Sequence, residues 1–157
     1  MAIYNDGPSL CPPLTDEMLG SAERKLGYKL PETYINALLE KNGGYLALDA
    51  FPTDRPTNYA PDHVSCSGLF GIGGDDGVDS VTRSQYLIGE WDYPDVGIVF
   101  WSEGHTAFML DYAKCGPQGE PSVIYVDTDP ELEVIPLAPS FSAFIAGLYE
   151  HDYDDEK

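Results

Sequence analysis

Positive charge is scarce in this sequence. Eight Lys and Arg stand against 27 Asp and Glu in 157 residues, a formal net charge of −19 at pH 7. The shortage is also uneven. Residues 1–41 carry six acids and four bases, whereas residues 42–157 carry 21 acids and only Arg55, Arg83, Lys114 and Lys157 as bases. So few cations cannot form a track along a phosphate backbone, and the negative field repels anionic membranes. Nucleic acid and lipid surfaces are therefore poor partners, while basic proteins are steered inward.

Cysteine is also sparse. Cys11, Cys66 and Cys115 are odd in number and follow no CxxC spacing, which fits free thiols in a reducing cytoplasm. The N-terminus lacks the basic start and apolar run of a signal peptide, and no apolar stretch approaches the ~18 residues of a membrane span. A cytoplasmic protein is expected.

Catalytic and ligand-binding signatures are missing too. Among the histidines His63, His105 and His151, only His63 has a nearby cysteine, Cys66, and no second pair completes a zinc set. His63 reads as a hydrogen-bonded strand or surface residue, and His105 beside Gly104 as a turn residue. No GxSxG elbow is present, and Cys66 and Cys115 read as ordinary buried thiols. The glycine run Gly71–Gly77 has no Lys-Ser/Thr pair, and its Asp75 and Asp76 would repel a phosphate. Asp127, Asp129, Glu131 and Glu133 alternate, but Pro130 and Leu132 stand where a calcium loop would need other residues. No catalytic residue, metal or cofactor is expected, and the chain is not read as an enzyme.

What is present is enough to fold. Apolar residues make up 43% of the chain, including eleven Tyr, six Phe and two Trp, which no disordered acidic sequence would carry. Thr15 caps a helix, with Leu14 and Leu19 placed as a hydrophobic staple, Asp16 and Glu17 in the first turn, and Gly27 as the stop. Pro31 opens a second helix whose buried face is Tyr34, Ile35, Leu38 and Leu39, ended by Asn42-Gly43-Gly44. Short β-rich runs follow at 45–48, 67–72, 97–100, 106–110, 122–126 and 133–137. A helix over 80–88, capped by Asp79, interrupts them. Ser140 caps a last helix bearing Phe141, Phe144, Ile145 and Leu148 at helical spacing, and an acidic tail covers 150–157. The expected fold is a single α+β domain over 1–157, with its core at about 15–148. About six short, mainly antiparallel strands are packed by an N-terminal helical hairpin, a middle helix and a C-terminal helix.

Three segments together resemble the SUKH superfamily, which contains bacterial toxin-immunity proteins and the homology region of a yeast cell-wall-synthesis regulator. Leu30-Pro31-Glu32-Thr33-Tyr34 with Asn42-Gly43-Gly44 is similar to the family's LPxxY…NGG signature. Gly104-His105-Thr106 through Leu110-Asp111-Tyr112, then Glu120-Pro121-Ser122-Val123, resembles its paired central strands. Leu137-Ala138-Pro139-Ser140-Phe141 with Phe144 resembles its closing helix. These residues are structural in character, so the signature marks a scaffold and not an active site.

The resemblance implies an immunity protein that binds a cognate toxin, and the charge supplies a mechanism: a carboxylate face occupying the cationic groove of a nuclease or deaminase. A regulatory or scaffolding module is the alternative, and a small hydrolase the third reading. Interface hot spots favour aromatics beside charge, so two segments are candidates for the partner surface. One contains Glu90, Trp91, Asp92, Tyr93 and Asp95; the other contains Asp75, Asp76 and Asp79. Trp91 and Tyr93 equally fit a role in capping the core beside a helix end.

Overall fold

The computed structural model describes residues 3–73 and 79–151. Its first helix, α1 (Asp16–Leu26), begins where expected: the Thr15 hydroxyl accepts from Met18 N at 3.2 Å, and Gly27 ends the helix at φ +80°. Helix α2 (Glu32–Glu40) follows Pro31. The chain then makes two small antiparallel pairs. β1 (Gly44–Tyr45) lies beside β4 (Gly68–Leu69), and β2 (Ala50–Pro52) beside β3 (His63–Ser65).

A 3-10 turn (Val81–Arg83) leads into α3 (Ser84–Trp91). The main sheet is an antiparallel meander in the order β5 (Gly97–Ser102), β6 (Thr106–Asp111), β7 (Ser122–Asp127) and β8 (Glu133–Ala138). Helix α4 (Phe141–Gly147) closes the fold, with the Ser140 hydroxyl accepting from Ala143 N at 3.1 Å.

Helices α2 and α4 meet the sheet through aromatic rings. Tyr34 packs edge-on against Phe141 at 4.8 Å between centroids, Phe141 against Phe100 at 5.6 Å, and Phe144 stacks on Phe51 at 5.0 Å. Tyr34, Phe100, Phe108, Phe141 and Phe144 are all fully buried. Burying such a ring contributes about 2–3 kcal/mol, and each well-oriented pair about 0.5–1.5 kcal/mol more. The one polar atom this brings inside is satisfied, since the Tyr34 hydroxyl donates to Phe70 O at 2.5 Å.

The α+β class stands, but several details differ from the sequence reading. The run at 45–48 shortens to Gly44–Tyr45, and the two N-terminal helices do not pack as a hairpin: α1 lies against the 3-10 turn and α2 against α4. The run at 67–72 shortens to Gly68–Leu69, because Phe70 N turns to Phe100 O and Gly71 packs against Asn42, where a Cβ would lie 2.3 Å from the Asn42 carbonyl. The strands β2 and β3 were not foreseen. The middle helix is capped by Ser80 and not by Asp79. The Ser80 hydroxyl accepts from Thr82 N at 3.3 Å and Gly73 N at 2.9 Å, and the α-helical part runs on to Trp91.

Candidate partner-binding surface

The register of the meander decides which loops meet. Thr106 pairs with Asp127 and Asp127 with Glu133, so the β5–β6 turn and the β7–β8 turn lie at the same end of the sheet. They are tied together there, with Thr128 N donating to His105 O at 2.9 Å. Gly104 makes the first turn possible by adopting φ +89°, a conformation a side chain would strain.

The hub of this end is Asp127, which is 1% exposed. Its Oδ2 accepts from Asn58 Nδ2 at 2.7 Å and its Oδ1 from Asp129 N at 2.9 Å, while His105 Nδ1 lies 3.4 Å from Oδ1. Asn58 also donates to Asp129 O, which fastens the β2–β3 loop onto the β7–β8 turn. A buried carboxylate held by several donors is the arrangement that makes burial of a charge tolerable.

The end of α3 joins the same rim. Trp91 lies over the β5–β6 turn, so close that a Cβ on Gly104 would come within 3.4 Å of its ring. Asp92 reverses the chain at φ 60°. The Tyr93 hydroxyl then bonds inward, to Ser102 Oγ at 2.7 Å and to the Gly104 carbonyl. Glu90, Asp92, Glu103, Asp129, Glu131 and Glu133 are exposed around this end, together with Tyr59, Trp91 and Leu132. Arg55, ion-paired with Asp54 at 2.9 Å, and His105 are cationic or titratable groups in the same region. The net field is nonetheless negative. Tyr125, beneath the rim, has its phenol pushed up to about 12, by burial first and then by Asp127, with Glu103 and Glu133 adding to the effect.

The structure divides the expected partner residues. Glu90, Trp91 and Asp92 come together at this end. Asp95 instead accepts from Gln85 in the first turn of α3. Asp79 precedes the 3-10 turn, so α3, about 12 Å long at 1.5 Å per residue, separates it from Trp91. Asp75 and Asp76 lie outside the described residues. Tyr93 requires a correction: it is 3% exposed, and its hydroxyl anchors the segment to the β5–β6 turn instead of offering a surface. Trp91, at 39% exposed, does offer one.

Sequence reasoning missed the contribution of Glu103 and of the alternating run from Asp129 to Glu133. The signal was available in principle, because consecutive hairpins of a meander place alternate turns at the same end of the sheet. Among the described residues no group of three or more His, Cys, Asp or Glu is arranged to hold a metal ion.

The thiols sit in unreactive or isolated settings. Cys66 is buried with its thiol donating to Gly68 O, and burial pushes its pKa well up, away from the thiolate a nucleophile needs. Cys115, expected to be buried, is exposed. His63 is buried, bonded to Asp62 at 2.8 Å and stacked on His151 at 4.0 Å between ring centroids. No helix of the described residues is long and apolar enough to cross a membrane.

The LPxxY and NGG residues have structural duties in this geometry, as the buried Tyr34 and the Gly43–Gly71 approach demonstrate. No curated protein matches the chain. A family profile, that of the SMI1 / KNR4 family (SUKH-1), matches residues 13–147. With both N-terminal helices, the meander and the closing helix all inside that match, the protein belongs to the SMI1 / KNR4 (SUKH-1) family.

Proposed function

We propose that this protein is a non-catalytic, cytoplasmic binding module, an immunity protein that neutralises a cognate basic toxin domain of nuclease or deaminase type by covering its substrate-binding surface. Residues 1–157 would act as one domain. The observation that carries the reading is the sheet end, where exposed carboxylates from three separate segments share one rim with the exposed Trp91, Tyr59 and Leu132. Acids alone would only steer an approaching cation. Acids around an exposed indole resemble the composition of an interface, in which an aromatic anchor supplies affinity and the charged rim supplies rate and selectivity. The same field disfavours nucleic acid as a direct partner.

A cationic groove that binds phosphates is the natural complement of such a rim. Its occupation would block substrate without any reaction. The test is co-expression with a basic toxin domain of nuclease or deaminase type, where one is encoded beside this gene, comparing wild type with Glu90→Lys, Asp92→Lys, Asp129→Lys and Glu131→Lys combined. Opposite charges 4 Å apart in water attract by about 1 kcal/mol, reduced by salt, so four reversals should cost roughly 2–4 kcal/mol, or about 30- to 1,000-fold in affinity. Wild type should co-purify and protect cells; the variant should do neither while keeping its melting temperature. A second variant, Asp75→Lys, Asp76→Lys and Asp95→Lys, asks whether these acids contribute. Full binding by the first variant would reject the sheet end as the docking surface. A regulatory interaction role would be favoured if the neighbouring gene encodes no toxin domain.

A further inference from the structure

The main sheet ends at β8, and among the described residues that strand is paired on its β7 side alone. We infer that the outer edge of β8 receives an extended, basic segment of the partner, added to the sheet as a fifth antiparallel strand. The inference rests on the docking reading above for the charge of the partner, and it names how that partner is held.

The ladder fixes which backbone groups face outward, because successive residues of a strand turn their N–H and C=O to opposite sides. Tyr112 N donates to Val96 O and Glu103 N to Thr106 O, so the even-numbered residues of β6 face β5. Ala107, Met109 and Asp111 therefore face β7, and their partners Val126, Ile124 and Ser122 face back. That leaves Tyr125 and Asp127 to face β8, where they meet Ile135 and Glu133. Val134 and Pro136 turn outward. Pro136 thus stands where its missing N–H costs the sheet no bond, the place proline takes in an edge strand. The open groups are the Val134 N–H and the carbonyls of Val134 and Pro136, and a register shift just after Pro136 ends the edge.

Side chains give this edge a preference. Val134 and Pro136 are exposed on one face of the sheet while Ile135 is buried on the other, and the exposed Leu132 precedes them. Glu133, Glu131 and Asp129 are exposed at the start of the strand. An added strand would set apolar residues beside Val134 and Pro136 and a Lys or Arg across from Glu133, pairings that stabilise a sheet. An open edge commonly invites a second copy of the same chain. Here a second copy brings a net charge of −19 and meets like charge, whereas a basic segment is attracted. Backbone bonds then supply affinity and alternate side chains supply selectivity.

The experiment titrates the full-length, isotope-labelled protein with acetyl-Lys-Val-Arg-Val-Lys-amide and follows backbone amides by NMR. One control peptide is N-methylated at both valines, whose N–H groups would face β8; another is N-methylated at the arginine and the last lysine, whose N–H groups would face solvent. In the free protein the Val134 amide proton should exchange rapidly and that of Ile135 slowly. The peptide should give saturable shifts centred on residues 132–136 and should slow exchange at Val134. Methylation at the valines should weaken binding roughly tenfold, the effect of losing backbone bonds, and methylation at the other two residues should leave it nearly unchanged. Glu133→Lys should weaken binding several-fold. Equal binding of the two methylated peptides, shifts spread over the acidic surface, or a Val134 amide already protected in the free protein, as a monomer or as a dimer, would overturn the inference. The two readings fail separately. If a basic toxin domain binds in a manner that charge reversal abolishes but Val134 exchange does not change, the edge is wrong and the docking surface stands. If the peptide adds to β8 but charge reversal at Glu90, Asp92, Asp129 and Glu131 leaves the domain bound, the docking surface is wrong and the edge stands.

Discussion

Replacing Asn42 by Ala should destabilise this protein more than any single change at the acidic rim. Asn42 is 2% exposed and holds three segments together. Its Nδ2 donates to Pro12 O at 2.6 Å and to Ile72 O at 2.9 Å, while its Oδ1 accepts from Ile72 N at 2.8 Å. Alanine removes all three bonds and orphans the amide of Ile72, a residue 1% exposed. An orphaned buried N–H costs about 1–3 kcal/mol and each of the other two bonds about 1 kcal/mol, giving roughly 3–5 kcal/mol in all. In a domain of this size that corresponds to a fall in melting temperature on the order of 10 °C. Asn42→Asp is the sharper variant, because it keeps the acceptor for Ile72 N but turns a charged oxygen toward two carbonyls, so it should be at least as damaging. Thermal and urea unfolding would read the loss, with the urea midpoint lowered and the slope unchanged. A loss below about 1 kcal/mol would refute the reasoning that the NGG signature is a structural clamp.

Other outcomes follow from the same geometry. Burial, aided by the Asp127 charge, holds the Tyr125 phenol at about 12, above its ordinary value near 10. Its contribution to stability is therefore complete below about pH 10 and is lost as pH rises toward 12. Tyr125→Phe should flatten that part of the curve, and phenolate absorbance showing every tyrosine titrating near 10 would contradict it. Of the three thiols, Cys115 is exposed whereas Cys11 and Cys66 are buried with their pKa values pushed up by burial. A thiol reagent should label one cysteine quickly in the native protein and all three in denaturant; rapid native labelling of Cys66 would argue against the packing. Trp91→Ala should lower affinity for a basic partner with little change in melting temperature, whereas Tyr93→Phe, which removes the bond to Ser102, should act chiefly on stability. Equal effects of the two on both readouts would undo the distinction drawn between them.

The elements legible in the sequence were those fixed by local chemistry. Thr15 and Ser140 each place a side-chain oxygen where a helix begins, and Gly27 supplies the left-handed turn where one ends. The four strands of the meander show as β-branched and aromatic runs of ordinary length. What the sequence hid depends on contacts between distant residues. Phe51 pairs with Val64 across a long loop, and the three-residue strands that result carry too little pattern to be seen alone. Asp79 and Ser80 are both able caps, and the choice fell to Ser80 because its hydroxyl also reaches Gly73 N. Tyr93 looks like a contact residue beside Trp91, yet its ring turns inward because the β5–β6 turn offers its hydroxyl partners. The acidic end likewise arises from register, which brings Glu103 and Glu133 to the same end although thirty positions separate them.

The most direct measurement is the affinity of the purified protein for a candidate basic toxin domain, taken from the neighbouring gene where that encodes one, by calorimetry at low and high salt for wild type and for the variant reversed at Glu90, Asp92, Asp129 and Glu131. The account predicts tight binding that weakens with salt in the wild type, and a variant that stays folded but binds at least thirtyfold more weakly at low salt with most of the salt dependence gone. Equal affinity and equal salt dependence in the two proteins would contradict it.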